Sequence, residues 1–179
     1  MFNKIHYSKP SITKHEIDFI MDAAKHGWGD KCYEYINKFE EIFKNYIGVK
    51  YAIATSSCTG AMHMGLYALN ISKGDEVILA DTNWIATVSP IVHLGAKPIF
   101  VDIDPLTWCI DPQQVEKKIN KNTKAIIATH LYGNLCDMSE LLKISKKYKI
   151  PLIEDSAEAI GSEYQSKKAG SMGLFSTFS

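Results

Sequence analysis

Apolar positions recur along this chain at two different spacings, and the change from one to the other falls near residue 50. Before it the spacing is helical. Ile17, Ile20, Met21 and Ala24 mark one face of a segment that opens on Thr13-Lys14-His15-Glu16, a capping box with Ile12 and Ile17 as its hydrophobic staple, and that stops at Gly27. This predicts a helix over 14–25. Ile36, Phe39, Ile42, Phe43 and Tyr46, closed by Gly48, predict a second over Tyr35–Tyr46.

After residue 50, short apolar runs alternate with helical stretches to Ser179. Such alternation is the mark of a parallel sheet with crossover helices, hence the α/β class. Strands are expected at Tyr51–Thr55, Glu76–Ala80, Lys97–Val101, Lys124–Thr129, Leu152–Glu154 and Leu174–Phe178. Helices are expected at Gly60–Leu69, Ile85–His93, Pro112–Ile119 and Met138–Tyr148, the last capped by Asp137 with Glu140 beyond it. The strand runs are continuously apolar rather than alternating, as strands covered on both faces require. No repeat, linker or low-complexity segment breaks the pattern.

Composition narrows the function classes. With 179 residues, 46% of them hydrophobic and 22% charged, the chain can bury a substantial core. Lys plus Arg balances Asp plus Glu at 20 each, so no global field draws it to nucleic acid or to an anionic membrane. All 20 basic residues are lysine. An anion bound here must therefore be held by backbone N–H groups, hydroxyls or ammonium. Cys32, Cys58, Cys109 and Cys136 form no C-x-x-C pair and have no His at ligand spacing, which predicts free thiols in a reducing compartment. The opening MFNKIHYSKPSITKHE has no apolar leader, and no apolar run reaches the roughly 18 residues of a membrane span. A cytoplasmic protein is expected.

In open α/β sheets, ligands bind beyond the carboxyl ends of the strands. The turn Ser56-Ser57-Cys58-Thr59-Gly60 joins a strand to a helix through small polar residues, and is either a phosphate cradle that needs no arginine or a plain helix cap. It is neither a P-loop nor a dinucleotide fingerprint. Trp84, in a polar setting after the next strand, is either a platform for a planar ligand or a partly buried core residue. Asp102 and Asp104 form a D-x-D pair, seen in metal-dependent glycosyltransferases but also produced by acids gathering at strand ends. In IEDSAEAIG, residues 153–161, an apolar run stops on charge. Asp155, at the tip of a central strand, needs a partner, and a protonated heterocyclic nitrogen or an internal hydrogen-bond set would serve.

Taken together, KPSITKHEIDFIMDAAKHGWG, ATSSCTGAMHMGLYALNISKGDEVILADTNWIATVSPIVHLGAKPIFVDIDP, HLYGNLCDM and PLIEDSAEAIGSEYQSKKAGSMGLFSTFS resemble the DegT and StrS family of pyridoxal-phosphate sugar aminotransferases, within the fold-type I superfamily. TNWIATVSPIV and IEDSAEAIGSEY are most similar to nucleotide-sugar 4-aminotransferases of the perosamine synthase type. The resemblance implies a three-layer α/β/α large domain with a mostly parallel sheet, cut off before the C-terminal domain. Residues 1–50 would be a helical segment packing on it, and 51–179 the incomplete cofactor-binding domain. It implies pyridoxal 5′-phosphate as cofactor, no metal, a nucleotide sugar and an amino-acid donor (usually glutamate) as partners, and a homodimer. Thr59 and Gly60 match the turn whose backbone holds the phosphate. Trp84 matches the ring-stacking aromatic, and Asp155 the acid at the pyridinium nitrogen. Glu158 stands where the family has Gln, Glu or His near the ring hydroxyl. Ser179 matches a phosphate-contacting serine.

The family's Schiff-base lysine lies just past the serine matched by Ser179, so the chain is expected to be the N-terminal part of a longer enzyme and inactive alone. Lys167 and Lys168, in the hairpin-like QSKKAGS, are expected to be solvated. Two rivals follow. Family members with histidine for that lysine dehydrate sugars, and the D-x-D pair leaves a remote glycosyltransferase. Trp28 in HGWGD either approaches substrate or anchors a loop.

Overall fold

In a computed structural model, residues 9–179 are described. Residues 1–8, on which half of the leaderless opening and the start of the 1–50 segment fall, lie outside the described residues. Among those described, no helix is long and apolar enough to cross a membrane.

The order of elements is α1 (Lys14–His26), α2 (Glu34–Ile47), α3 (Cys58–Ala68), β1 (Glu76–Ala80), α4 (Ile85–His93), β2 (Lys97–Val101), α5 (Pro112–Lys118), β3 (Thr123–Thr129), α6 (Met138–Tyr148), β4 (Leu152–Asp155), β5 (Glu163–Tyr164), β6 (Lys167–Lys168) and β7 (Phe175–Thr177). Five strands form one sheet in the order β2-β1-β3-β4-β7, every pairing parallel. Alternate residues of each strand face opposite layers. Ile78, Ala80, Ile126 and Ala128 pack with Val115 of α5 and Met138, Leu141 and Ile144 of α6. Val77, Leu79, Ala125, Ile127 and Ile153 pack on the other side with Met62 and Leu66 of α3 and Ile91 of α4. Helices on both faces of a buried parallel sheet make three layers, the expected α/β/α class.

The N-terminal helices form as their caps dictate. Thr13 and Glu16 complete the capping box of α1, and Gly48 ends α2 in the left-handed region at φ 82°. Ile12 and Ile17 are both exposed, so the staple buries little. No residue of α1 and only Ile47 of α2 is buried. Helix α2 meets the rest of the fold through Phe43, edge-on to Phe178 with centroids 5.0 Å apart, and through Glu40, which accepts the Ala54 N–H at 2.7 Å.

Two expectations are corrected. Tyr51–Thr55 is not a strand: the segment has no ladder partner, and Tyr51 and Ile53 are 73% and 74% exposed. An apolar β-branched run becomes a strand only beside another edge, and β7 pairs only with β4 on its inner side. The helix expected from Gly60 starts at Cys58 instead, because the Ser57 hydroxyl accepts the Gly60 N–H and caps it there. The hairpin around Lys167 is present as β5 and β6, turned by Gln165 and Ser166 at φ 49° and 65°.

Gly65 permits the close seating of α3 on β7. A Cβ there would lie 2.2 Å from the Phe175 ring.

Candidate active site

At the carboxyl ends of β1, β3 and β4, a cavity of about 600 Å³ opens. Thr59, Trp84, Asp155, Glu158 and Ser179 all line it, together with Cys58, Thr87 and Tyr132. Five of the six site residues expected from sequence thus meet in one cleft. Gly60 stands one position behind, and its N–H is already taken by Ser57 Oγ at 3.0 Å. Of the orphan N–H groups at the start of α3, those of Cys58 and Thr59 precede the helix's own ladder and have no acceptor among the described residues.

Trp84 is 73% exposed, which removes the core reading of its indole. Its backbone is held, since the Trp84 N–H donates to Asn83 Oδ1 at 2.7 Å and Asn83 Nδ2 donates to Thr129 Oγ1 at 2.9 Å.

Asp155 is 6% exposed. Thr87 Oγ1 donates to its Oδ2 at 2.6 Å, while the Ala157 N–H reaches Oδ1 at 3.2 Å and the Cys58 thiol at 3.8 Å. Among the described residues no cation pairs with it. A buried anion with so thin a partner set is costly unless a positive group enters the cleft. Burial, and then the adjacent Asp155 charge, push the Cys58 thiol above its ordinary pKa. Nearby, the hydroxyls of Ser156 and Thr177 are buried without a hydrogen-bond partner.

Glu154 faces the opposite layer, as strand alternation demands. Its Oε2 accepts from His130 Nε2 at 3.0 Å and the Gly170 N–H at 2.8 Å. Its Oε1 accepts from the N–H groups of Met172 at 2.7 Å and Gly173 at 2.5 Å. Burial opposes its charge, yet the bonds from His130, Gly173 and Gly170 prevail and hold its carboxyl below the ordinary value. The Cys136 N–H donates to His130 Nδ1, which places the ring's hydrogen on Nε2, toward Glu154. Sequence reading missed this pair, whose only signal was that consecutive strand residues point to opposite faces.

Glu158 Oε2 accepts the Tyr132 N–H at 2.6 Å and so fixes Tyr132, at φ 54°, on the rim of the cavity. Other candidates lie elsewhere. Asp104 Oδ1 accepts from Leu106 and Thr107 N–H, and Asp102 Oδ1 from Ile103 N–H, so both carboxylates close local turns outside the cleft. Trp28 caps α1 by donating to the Ala24 carbonyl at 2.9 Å, away from the cavity. Lys168 sits 4.3 Å over the Tyr46 ring.

The sequence profile of the DegT/DnrJ/EryC1/StrS aminotransferase family matches residues 10–179. A GDP-perosamine synthase of Caulobacter vibrioides is 39% identical over 176 residues, covering 98% of this chain and 47% of that protein. Among solved structures, NtdA of Bacillus subtilis with bound cofactor PMP superimposes at a TM-score of 0.78 with 37% identity, over 89% of this chain and 37% of that one. A GDP-4-keto-6-deoxymannose-3-dehydratase variant with bound GDP-perosamine superimposes at a TM-score of 0.88 with 31% identity, over 96% of this chain and 46% of that one. The chain spans about half the length of the curated relatives it matches, as the 47% figure shows.

Proposed function

Because the chain belongs to the DegT/DnrJ/EryC1/StrS aminotransferase family, we propose that its cleft holds pyridoxal 5′-phosphate and serves transfer of an amino group, from glutamate, to a keto group of a nucleotide-linked deoxysugar. The observation that carries this reading is Asp155, buried without a cation beside an exposed indole and two free N–H groups. A protonated ring nitrogen supplies the missing positive charge.

When bound, the cofactor supplies an electron sink that eases removal of a proton from carbon. Asp155 holds a proton at the ring nitrogen. Trp84 covers the ring face and orients it. The Cys58 and Thr59 N–H groups, with the Ser179 hydroxyl, bind the phosphate without arginine. Glu158 stands near the ring hydroxyl while fixing Tyr132 at the rim. Among the described residues no lysine lines the cavity. The GDP-perosamine relatives favour a GDP-linked 4-keto sugar as acceptor. The same reading makes the enzyme a cytoplasmic homodimer.

Cofactor titration tests the reading: saturable binding of pyridoxamine phosphate (PMP) by the parent chain supports it, and none would overturn it. A second reading, dehydration of the sugar on the same cofactor, is favoured by likeness to the dehydratase. In the catalytically complete protein, ¹⁵N from labelled glutamate appears in the sugar if amino transfer is right. Loss of a sugar hydroxyl without ¹⁵N uptake would select dehydration.

A further inference from the structure

Thr87, buried in the first turn of α4, puts one hydroxyl between two oxygens, Asp155 Oδ2 at 2.6 Å and Asn83 Oδ1 at 3.1 Å. The orientation of the Asn83 amide is settled by its other neighbours. The Trp84 N–H requires an acceptor, so Oδ1 faces it, and Nδ2 faces Thr129 Oγ1. Thr87 therefore meets two acceptors with a single hydrogen. The nearer, ionised oxygen takes it, at a length proper to a charge-assisted O–H···O⁻ bond. Because the other donors to Asp155 are a long backbone contact at 3.2 Å and a thiol at 3.8 Å, this hydroxyl is the strong protein bond on that carboxylate.

Resting on the cofactor reading above, we propose that Thr87 is a positioning residue which holds the Asp155 carboxylate in its orientation toward the cleft and, through its own backbone N–H donated to the Trp84 carbonyl at 3.0 Å, ties it to the backbone of Trp84. The acid that meets the ring nitrogen and the indole that covers the ring are thereby set as one unit. Thr87 acts through Asp155 rather than on substrate.

The test uses PMP, which needs no covalent anchor, titrated against the protein and its Thr87→Ser, Thr87→Ala and Thr87→Val variants. The ¹⁵N shift of ring-labelled PMP reports protonation of the ring nitrogen. Thr87→Ser should bind within about twofold of the parent, while Ala and Val bind about tenfold more weakly, the scale of a lost hydrogen bond to a charged group, and lose the protonated-ring signal at neutral pH. Ser and Ala differ by one oxygen, so that pair decides even if Val disturbs folding. Equal affinity and equal ring signal in Ser and Ala would overturn the positioning role while leaving cofactor binding intact. No saturable PMP binding to the parent would overturn the cofactor reading and this role with it.

Discussion

Glu154 and Asp155, adjacent on β4, send their carboxylates to opposite faces of the sheet and meet opposite fates. Glu154 is saturated by His130 and the N–H groups of Gly170, Met172 and Gly173. Asp155 has one strong donor and, among the described residues, no cation. One acid is committed to the fold, and the proposed function assigns the other to a guest.

Glu154→Gln should destabilise the protein by about 3 kcal/mol, because the amide presents hydrogens to N–H donors that then lie buried without acceptors. A urea melt measures this. The folded carboxyl lies below its ordinary value of 4.5, so its contribution is complete above pH 4.5 and fades as pH falls through the lower folded value. The parent should lose stability steeply on acidification in that window, and the variant less so.

Asp155→Asn should leave the unliganded protein as stable as the parent or more so, since it removes a buried charge that lacks a counter-ion. It should weaken PMP binding about tenfold, the scale of one charged hydrogen bond. In the catalytically complete protein, Asp155→Ala should lower amino transfer by orders of magnitude, as a neutral ring is a poor electron sink. Melting temperature and cofactor titration on the same sample separate the two effects. Undiminished PMP affinity would detach Asp155 from the ring.

Trp84→Ala should change stability by no more than about 0.5 kcal/mol, as the side chain is largely in solvent. It should cost about 1 kcal/mol of cofactor binding, roughly a fivefold rise in Kd, the value of an aromatic stack. Calorimetric titration reads both numbers.

Cys58, its thiol pushed up by burial and by Asp155, should alkylate slowly at neutral pH, with a rate that keeps climbing above pH 9. Exposed Cys32 should react first. Bound PMP should slow Cys58 further, because the thiol lines the same cavity. Mass spectrometry of timed iodoacetamide reactions resolves the order.

Much of this was legible in the sequence because it was written locally. The capping box at Thr13, the Asp137 cap of α6 and the apolar runs of β1 to β4 depend on neighbouring residues alone. Trp84 and Asp155 were gathered by a topological rule, that strand ends share one side of a sheet, while Thr59, Glu158 and Ser179 were carried by the family resemblance. What failed was what needs a partner distant in sequence. Tyr51–Thr55 has the composition of a strand but no adjacent edge. Thr87, 68 positions from Asp155, reads as one more helix residue until the two meet. His130 and Glu154 look like two polar strand ends, and only packing reveals them as a closed pair.

The start of α3 offers an anion its backbone amides beside the hydroxyls of Ser57 and Thr59. Whatever the amides contribute is immune to an alanine scan, because alanine brings the same N–H. Proline alone deletes that hydrogen, and at Cys58, the first helical residue after the extended Ser57, it would do so with the helix left standing.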